Sequence, residues 1–130
     1  MRLLLDTHIW IWNYTAPEKL TSEVARELTN ADNERFLSPV SIWELAVLLE
    51  KRTVNLRQDF GAWFQQSVED LALVEASLDR GVAHELRFTP GHGDPADRFL
   101  IATAKVYDLT LVFADERLLR VPGLSVLLNR

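Results

Sequence analysis

Four acidic residues occupy corresponding positions along the chain. Asp6 and Asp115 each come directly after a short apolar run, Glu44 lies one turn into an apolar helical segment, and Asp97 lies in the first turn of another. Carboxylates that gather at one place bind hard divalent cations, and such cations assist the hydrolysis of phosphate esters. Whether these four acids gather depends on the elements that carry them.

Short apolar strands alternate along the chain with helical segments of about 8–12 residues. Strands are predicted at 3–5, 36–37, 71–74, 110–113 and 124–128. Helices are predicted at 8–15, from 21 or 22 to about 30, from 41 to about 51, and at 59–70, 77–86, 95–107 and after Asp115. This alternation predicts a three-layer α/β/α fold with a central parallel sheet of four or five strands, formed by one domain spanning residues 1–130. The turn-rich stretch 89–95 is predicted to be a loop.

The composition is that of an ordinary globular protein, with 48% hydrophobic and 25% charged residues among 130. No apolar run approaches the roughly 20 residues that cross a bilayer. The chain contains no cysteine, which excludes disulfides and thiolate metal sites and is typical of a cytoplasmic protein. The net charge of −5 argues weakly against nucleic-acid binding, unless the acids cluster where cations neutralise them.

Taken one at a time, the acids have a simpler interpretation as helix caps. Asp6, Asp94 and Asp115 are at positions where an N-cap residue is expected. Ser41 and Glu44 have the spacing of a capping box. A single one of these acids is therefore more often a cap than a ligand.

Together the acids favour a different interpretation. The strand-to-helix junctions of a parallel sheet lie at one edge, so the four carboxylates would crowd together there. Two like charges 4 Å apart repel by about 4 kcal/mol at an effective dielectric constant of 20, and a helix N-terminus offsets only about 0.3–1 kcal/mol. Either some acids are protonated or a cation lies among them, and oxygen ligands favour Mg²⁺ or Mn²⁺ over zinc.

With these positions established, the chain resembles the PIN-domain superfamily, and within it the VapC-type toxin ribonucleases of bacterial toxin–antitoxin systems. The segments that carry the resemblance extend over most of the chain and are 3–10, 37–46, 94–104 and 111–115. Each motif is weak alone, whereas the ordered set is specific. One departure is Ala114, since a hydroxyl residue commonly precedes the fourth acid in this family.

The resemblance implies an Mg²⁺- or Mn²⁺-dependent endoribonuclease that cleaves single-stranded or looped RNA by attack of a metal-activated water on a phosphodiester. Its catalytic and metal-binding residues would be Asp6, Glu44, Asp97 and Asp115. The resemblance also implies a homodimer and a small cognate antitoxin that covers the active site.

Several neighbouring residues could assist such a site. Thr7 could hydrogen-bond an acid, and Arg98 could contact a substrate phosphate or pair with an acid. Asp94 is interpreted as a cap. His92 could donate a proton to a leaving oxygen, although a loop histidine without a function is the more frequent case. His8 and His84 have no spacing that pairs them as ligands and are interpreted as structural.

The tryptophans and basic residues leave more than one role open. Trp43 and Trp63 are predicted to lie in the core, and one of Trp10 and Trp12 is predicted to face outward, where it would suit a partner groove or base stacking. Lys51, Arg52, Arg57, Arg117 and Arg120 are interpreted as solvated surface, although bases that flank an acidic pocket could hold RNA.

Two other functions remain open on the sequence alone. A small-molecule phosphohydrolase is one, although no second acid lies two residues after Asp6, as an aspartyl phosphotransferase would need. A non-catalytic partner-binding module is the other, with the acids serving as caps only.

Overall fold

The computed structural model describes residues 1–89 and 94–130, so His92 lies outside the described residues. Within these ranges five strands form one parallel sheet in the order β3-β2-β1-β4-β5. The strands are β1 (Arg2–Leu5), β2 (Glu34–Leu37), β3 (Val74–Glu75), β4 (Thr110–Phe113) and β5 (Ser125–Leu128). The predicted parallel sheet is thus confirmed with five strands.

Helices cover both faces of the sheet. They are α1 (Thr7–Thr15), α2 (Ser22–Thr29), α3 (Pro39–Glu50), α4 (Phe60–Leu71), α5 (Arg80–Glu85) and α6 (Pro95–Tyr107), with 3-10 turns at Pro17–Lys19, Leu86–Phe88 and Glu116–Arg120. Leu3 and Leu5 of β1 lie in one apolar cluster and Leu4 lies in the other, because successive side chains of a strand point to opposite faces. This arrangement confirms the three-layer α/β/α fold.

The central strand places its carboxyl end beside that of β4. Leu5 pairs with Val112, and the Asp6 amide donates to the Val112 carbonyl at 2.9 Å. Residues that follow β1 and β4 therefore emerge at the same edge of the sheet. The structure thus delivers Asp6 and Asp115 to one region.

The beginning of α3 differs from the sequence prediction. The helix begins at Pro39, and Ser38 is its N-cap, with its side chain accepting from the Val40 amide at 3.1 Å. Ser41 lies inside the helix, so the capping box predicted for Ser41 and Glu44 is wrong. Both side chains are instead free to make contacts across the sheet edge.

Two further boundaries are corrected. The third strand is Val74–Glu75 rather than 71–74, because α4 continues through Leu71. The N-cap of α5 is Asp79 rather than Ser77, and its carboxylate accepts from the Val82 amide at 3.0 Å. The position of β3 depends on its pairing at the edge of the sheet, and a local apolar run does not predict that pairing.

The tryptophans divide differently from the prediction. Trp10 and Trp63 are buried, whereas Trp43 is 62% exposed, so its predicted core position is wrong. Trp43 lies on α3 in an apolar groove that it lines with Pro39, Val40, Leu78, Pro95, Ala96 and Phe99. Among the described residues, no helix combines the length and apolar character that crossing a membrane requires.

Candidate active site

A cleft of about 390 Å³ opens at the carboxyl edge of the sheet. All four predicted site acids line it, and Asp94 lines it as well. The residues around it are Asp6, His8, Trp12, Glu44, Asp94, Asp97, Phe113, Ala114, Asp115 and Leu118. Acids that are up to 109 positions apart in the sequence, from Asp6 to Asp115, thus lie around one opening.

Asp6 is the most deeply buried of the cleft acids whose pKa values are raised. It is the N-cap of α1, and its carboxylate accepts from the His8 amide at 3.3 Å. Its side chain keeps 18% of its exposure. Burial, together with the charges of Asp97 and Glu44, raises the pKa of Asp6 to about 7. The Asp6 carboxyl is therefore near its titration midpoint at neutral pH.

Glu44 is held by a buried hydroxyl pair. The Thr7 hydroxyl donates to Glu44 Oε1 and is also hydrogen-bonded to the Ser41 hydroxyl at 2.9 Å. Thr7 and Ser41 have no exposed surface. Burial raises the pKa of Glu44, while the Thr7 hydrogen bond lowers it. Thr7 thus contacts an acid, as the sequence suggested, and Ser41 supports this contact rather than a helix cap.

Asp97 lies close enough to several other acids for their negative charges to raise its pKa. Burial raises the pKa of Asp97 to about 6, and the charges of Asp94, Glu44 and Asp115 add to the shift. Asp94 is the N-cap of α6 and accepts from the Ala96 amide at 2.9 Å, so it combines the predicted capping contact with a place on the cleft.

Asp115 lies at the rim of the cleft and is engaged by Arg117. The Arg117 Nη2 atom lies 2.6 Å from Asp115 Oδ2, and Arg117 Nε lies 3.0 Å from each carboxylate oxygen. Asp115 also caps the following 3-10 turn through the Arg117 amide. Ala114 contributes no hydroxyl beside it. Sequence reasoning missed this pair, although the two-residue spacing after a strand could have indicated it.

One wall of the cleft is aromatic, and sequence reasoning did not place it there. We call His8 and Trp12 the aromatic wall. Their ring centroids are 5.6 Å apart with an interplanar angle of 52°, and both residues line the cleft. Their spacing of four residues on α1 was the signal available, because such residues lie on the same side of a helix.

Arg98 contacts a backbone carbonyl in this structure, and its suggested contact with a substrate phosphate stays a prediction. Its Nη2 atom donates to the Leu86 carbonyl at 3.1 Å. Within the described residues its Nε is buried without a hydrogen-bond partner. The side chain therefore ties α6 to the Leu86–Phe88 turn behind the acids.

The donor chemistry of the cleft fits a hard divalent cation. In the described ranges no group of three or more histidine, cysteine, aspartate or glutamate side chains is arranged as a ready-made metal site. The acids nevertheless raise one another's pKa values, which a cation would reverse. Mg²⁺ keeps several water ligands and needs only one or two direct carboxylates. The residues present thus match Mg²⁺ or Mn²⁺ in ligand type and charge.

Comparison with known proteins identifies the family. The profile of the PIN domain family matches residues 3–124. The chain is 33% identical over 118 residues to "Ribonuclease VapC22" of Mycobacterium tuberculosis, covering 89% of this chain and 88% of that protein. The chain therefore belongs to the PIN domain family and is a VapC-type member of it.

Solved structures share the fold. A chain of the DNA-bound VapBC2 complex of Rickettsia felis superposes with a TM-score of 0.76 at 14% identity, with 100% of both chains covered. A chain of the DNA-bound VapBC complex of Salmonella typhimurium superposes with a TM-score of 0.65 at 18% identity, covering 98% of this chain and 97% of that one. A chain of FitAcB from Neisseria gonorrhoeae gives 0.60 at 21% identity, with 95% of each covered.

Proposed function

We propose that this protein is a toxin endoribonuclease that requires Mg²⁺ or Mn²⁺ and hydrolyses phosphodiester bonds of single-stranded or looped RNA. The observation that carries the proposal is the convergence of Asp6, Glu44, Asp97 and Asp115 on one cleft where burial and mutual repulsion raise carboxyl pKa values. The ribonuclease name of the 33% identical relative supports the same activity.

The acids would act as ligands and as a proton acceptor. Asp6, Glu44 and Asp97 would hold the cation directly or through water, and Asp115 would complete the set at the rim. A bound divalent cation supplies positive charge to the phosphate and acidifies the attacking water. One of these carboxylates would also accept a proton from that water.

Residues beside the acids would position the Glu44 carboxylate and the substrate phosphate. Thr7 holds Glu44 from the buried side, so the Glu44 carboxylate has one oxygen fixed and the other available to the cleft. Asp115 would have to exchange its contact with Arg117 for one with the cation, which leaves Arg117 near an incoming phosphate. Arginine suits that role because its planar guanidinium pairs with phosphate oxygens in two places.

A small antitoxin and a homodimer complete the proposal. The solved structures that share this fold include VapBC and FitAB complexes. The exposed apolar groove around Trp43 supports a protein partner, since exposed apolar surface of this kind marks interaction sites. Co-expression with the product of the adjacent reading frame, followed by light scattering of the chain alone and in complex, tests both expectations.

The direct test of the activity is cleavage of a defined set of unpaired RNAs. We expect cleavage by the wild type, its loss in EDTA and its return with Mn²⁺. Asp6→Asn should abolish it while leaving the helix cap intact, because asparagine also caps helices. Cleavage that resists EDTA would reject the metal-dependent mechanism, and a wild type without any cleavage in Mn²⁺ would favour a non-catalytic module.

A further inference from the structure

Beside the acids, the cleft carries an aromatic surface that hydrolysis of a phosphodiester does not itself require, and a lysine contacts this surface. His8 and Trp12 form the aromatic wall, and Lys19 Nζ lies 5.3 Å from the centroid of the Trp12 ring. Because residues four apart share one side of a helix, α1 presents this wall on the side of its first turn where Asp6 lies. Aromatic rings thus adjoin the carboxylates, and a cation contacts one of these rings.

The backbone that carries Lys19 is fixed by the other end of the chain. The Lys19 carbonyl accepts from Asn129 Nδ2 at 2.9 Å, and Asn129 Oδ1 accepts from the Thr21 amide at 2.7 Å. The Asn129 amide donates to the Phe113 carbonyl at 2.7 Å, and Asn129 is only 6% exposed. A buried polar side chain therefore holds the Lys19 segment against the end of β4. A backbone fixed in this way loses little conformational freedom when a ligand binds.

The same set of contacts occurs elsewhere without the acids, which provides an internal comparison. Phe88 is 63% exposed, with the His84 ring centroid 5.9 Å from its own and the Arg87 guanidinium 5.6 Å from it. Phe88 is not among the residues that line the acidic cleft. Contacts between a ring, a histidine and a cation are thus ordinary surface packing. The position of the aromatic wall beside the carboxylates is what indicates a ligand.

We propose that His8, Trp12 and Lys19 form a subsite for one unpaired nucleotide next to the scissile phosphate, with its base stacked on the aromatic wall and its phosphate paired with Lys19. The inference rests on the proposed ribonuclease function and specifies its substrate class. A base in a duplex has both faces covered by its neighbours, whereas an unpaired base offers a face for stacking. The subsite therefore selects single-stranded or looped RNA over double-stranded RNA.

Equilibrium binding of short single-stranded RNA homopolymers tests this subsite without turnover. The assay uses the full chain with Ca²⁺ in place of Mg²⁺, and compares each RNA with an abasic ribose-phosphate strand of the same length. Trp12→Leu should weaken binding of base-containing RNA by about 5- to 100-fold, the range for loss of one stacked base. It should leave binding of the abasic strand unchanged. Lys19→Gln should weaken binding of both strands and make it less dependent on salt.

Two further variants keep the test decisive. Phe88→Leu is the matched control and should leave binding of both strands unchanged. If Trp12→Leu does not fold, as judged by its thermal melting, His8→Ala takes its place. The His8 side chain is half exposed, and its backbone amide would still donate to the Asp6 carboxylate. Equal affinity of base-containing RNA for the wild type and Trp12→Leu would overturn the proposal, as would equal weakening of both strands by Trp12→Leu. Since the readout is binding, failure of the wild type to cleave RNA would count against the activity and not against the subsite.

Discussion

At the scale of single residues, Asp6 is the aspartate whose pKa the fold raises most. Its carboxyl ionises near 3.8 in an unfolded chain and near 7 in the folded one. Between these pH values the folded protein binds more protons, so its stability falls as pH rises through that window. The fold thus keeps a carboxylate where ionisation destabilises it, which is typical of a functional site.

Asp6→Asn should therefore stabilise the protein when no metal is present. We expect the free energy of unfolding in EDTA at pH 8 to rise by about 1–3 kcal/mol. This is less than the whole pKa shift of Asp6 corresponds to at about 1.36 kcal/mol per pKa unit. The gain should shrink as pH falls from about 7 towards 3.8 and vanish well below 3.8, where Asp6 is protonated in both states. Urea denaturation across pH measures this.

Asp79→Asn is the matched control for that experiment. Asp79 is also a helix N-cap, but its hydrogen bond from Tyr107 lowers its pKa. Its ionised form stabilises the fold above the unfolded pKa, so its replacement should lower stability at pH 8. A loss of stability at pH 8 in Asp6→Asn as well would contradict the strain assigned to Asp6.

Thr7 is a positioning residue whose replacement should alter the pH profile of cleavage. The Thr7 hydroxyl donates to Glu44 and lowers the pKa of the Glu44 carboxyl. Thr7→Val removes this hydroxyl, so it should raise that pKa. We expect activity to fall by about 10- to 100-fold, as for partners of metal ligands, and the acidic limb of the pH–rate profile to move to higher pH. Thr7→Ser should keep both near wild type. An unchanged profile in Thr7→Val would remove Thr7 from the site.

The sequence indicated the acids and a hydrogen bond from Thr7 to one of them, but not which acid Thr7 contacts or that Ser41 supports this contact. Asp6 and Asp115 follow short apolar runs, and parallel strands end at one edge, so their approach could be predicted. The hydrogen bonds among Thr7, Ser41 and Glu44 join two helices across the sheet edge, and no local spacing encodes such a contact. For Ser41 the local pattern was misleading, since its capping-box spacing suggested a different partner.

At the scale of elements, the helices that carry the acids depend on their caps. Ser38 begins α3, has no exposed surface and accepts from the Val40 amide. Ser38→Ala should lower the free energy of unfolding by about 1 kcal/mol, the usual loss for an N-cap. Ser38→Thr keeps the acceptor and serves as the control. A denaturation midpoint unchanged in Ser38→Ala would show that Pro39 alone suffices to begin the helix.

Elements with strong local signals were predicted with their observed bounds. The helix Pro95–Tyr107 has an N-cap aspartate, a proline at its first position and an apolar stripe, and the strand Thr110–Phe113 is a short apolar run after it. The strand Val74–Glu75 has only two residues at the sheet edge, both exposed. Its position depends on pairing with β2 rather than on its own sequence, which is why it was misplaced.

At the scale of the whole molecule, the net charge of −5 is compatible with RNA as substrate because part of it is concentrated in the cleft. Five acids line the opening, and a divalent cation bound among them would offset part of their negative charge and weaken the repulsion that an incoming phosphate meets. Lys19 contacts Trp12 and Arg117 contacts Asp115, and both of these contacted residues line the cleft. Total charge therefore says little about the potential in this cleft.

Calorimetric titration of Mn²⁺ into the protein at pH 6.5 tests most directly whether the gathered acids form a cation site. We expect saturable binding by the wild type with release of protons, because Asp6 and Asp97 are partly protonated at that pH and must ionise to accept the cation. Asp97→Asn should weaken the binding and reduce the proton release, whereas Asp79→Asn should change neither. Equal Mn²⁺ binding by wild type and Asp97→Asn, or binding without proton release, would contradict the account.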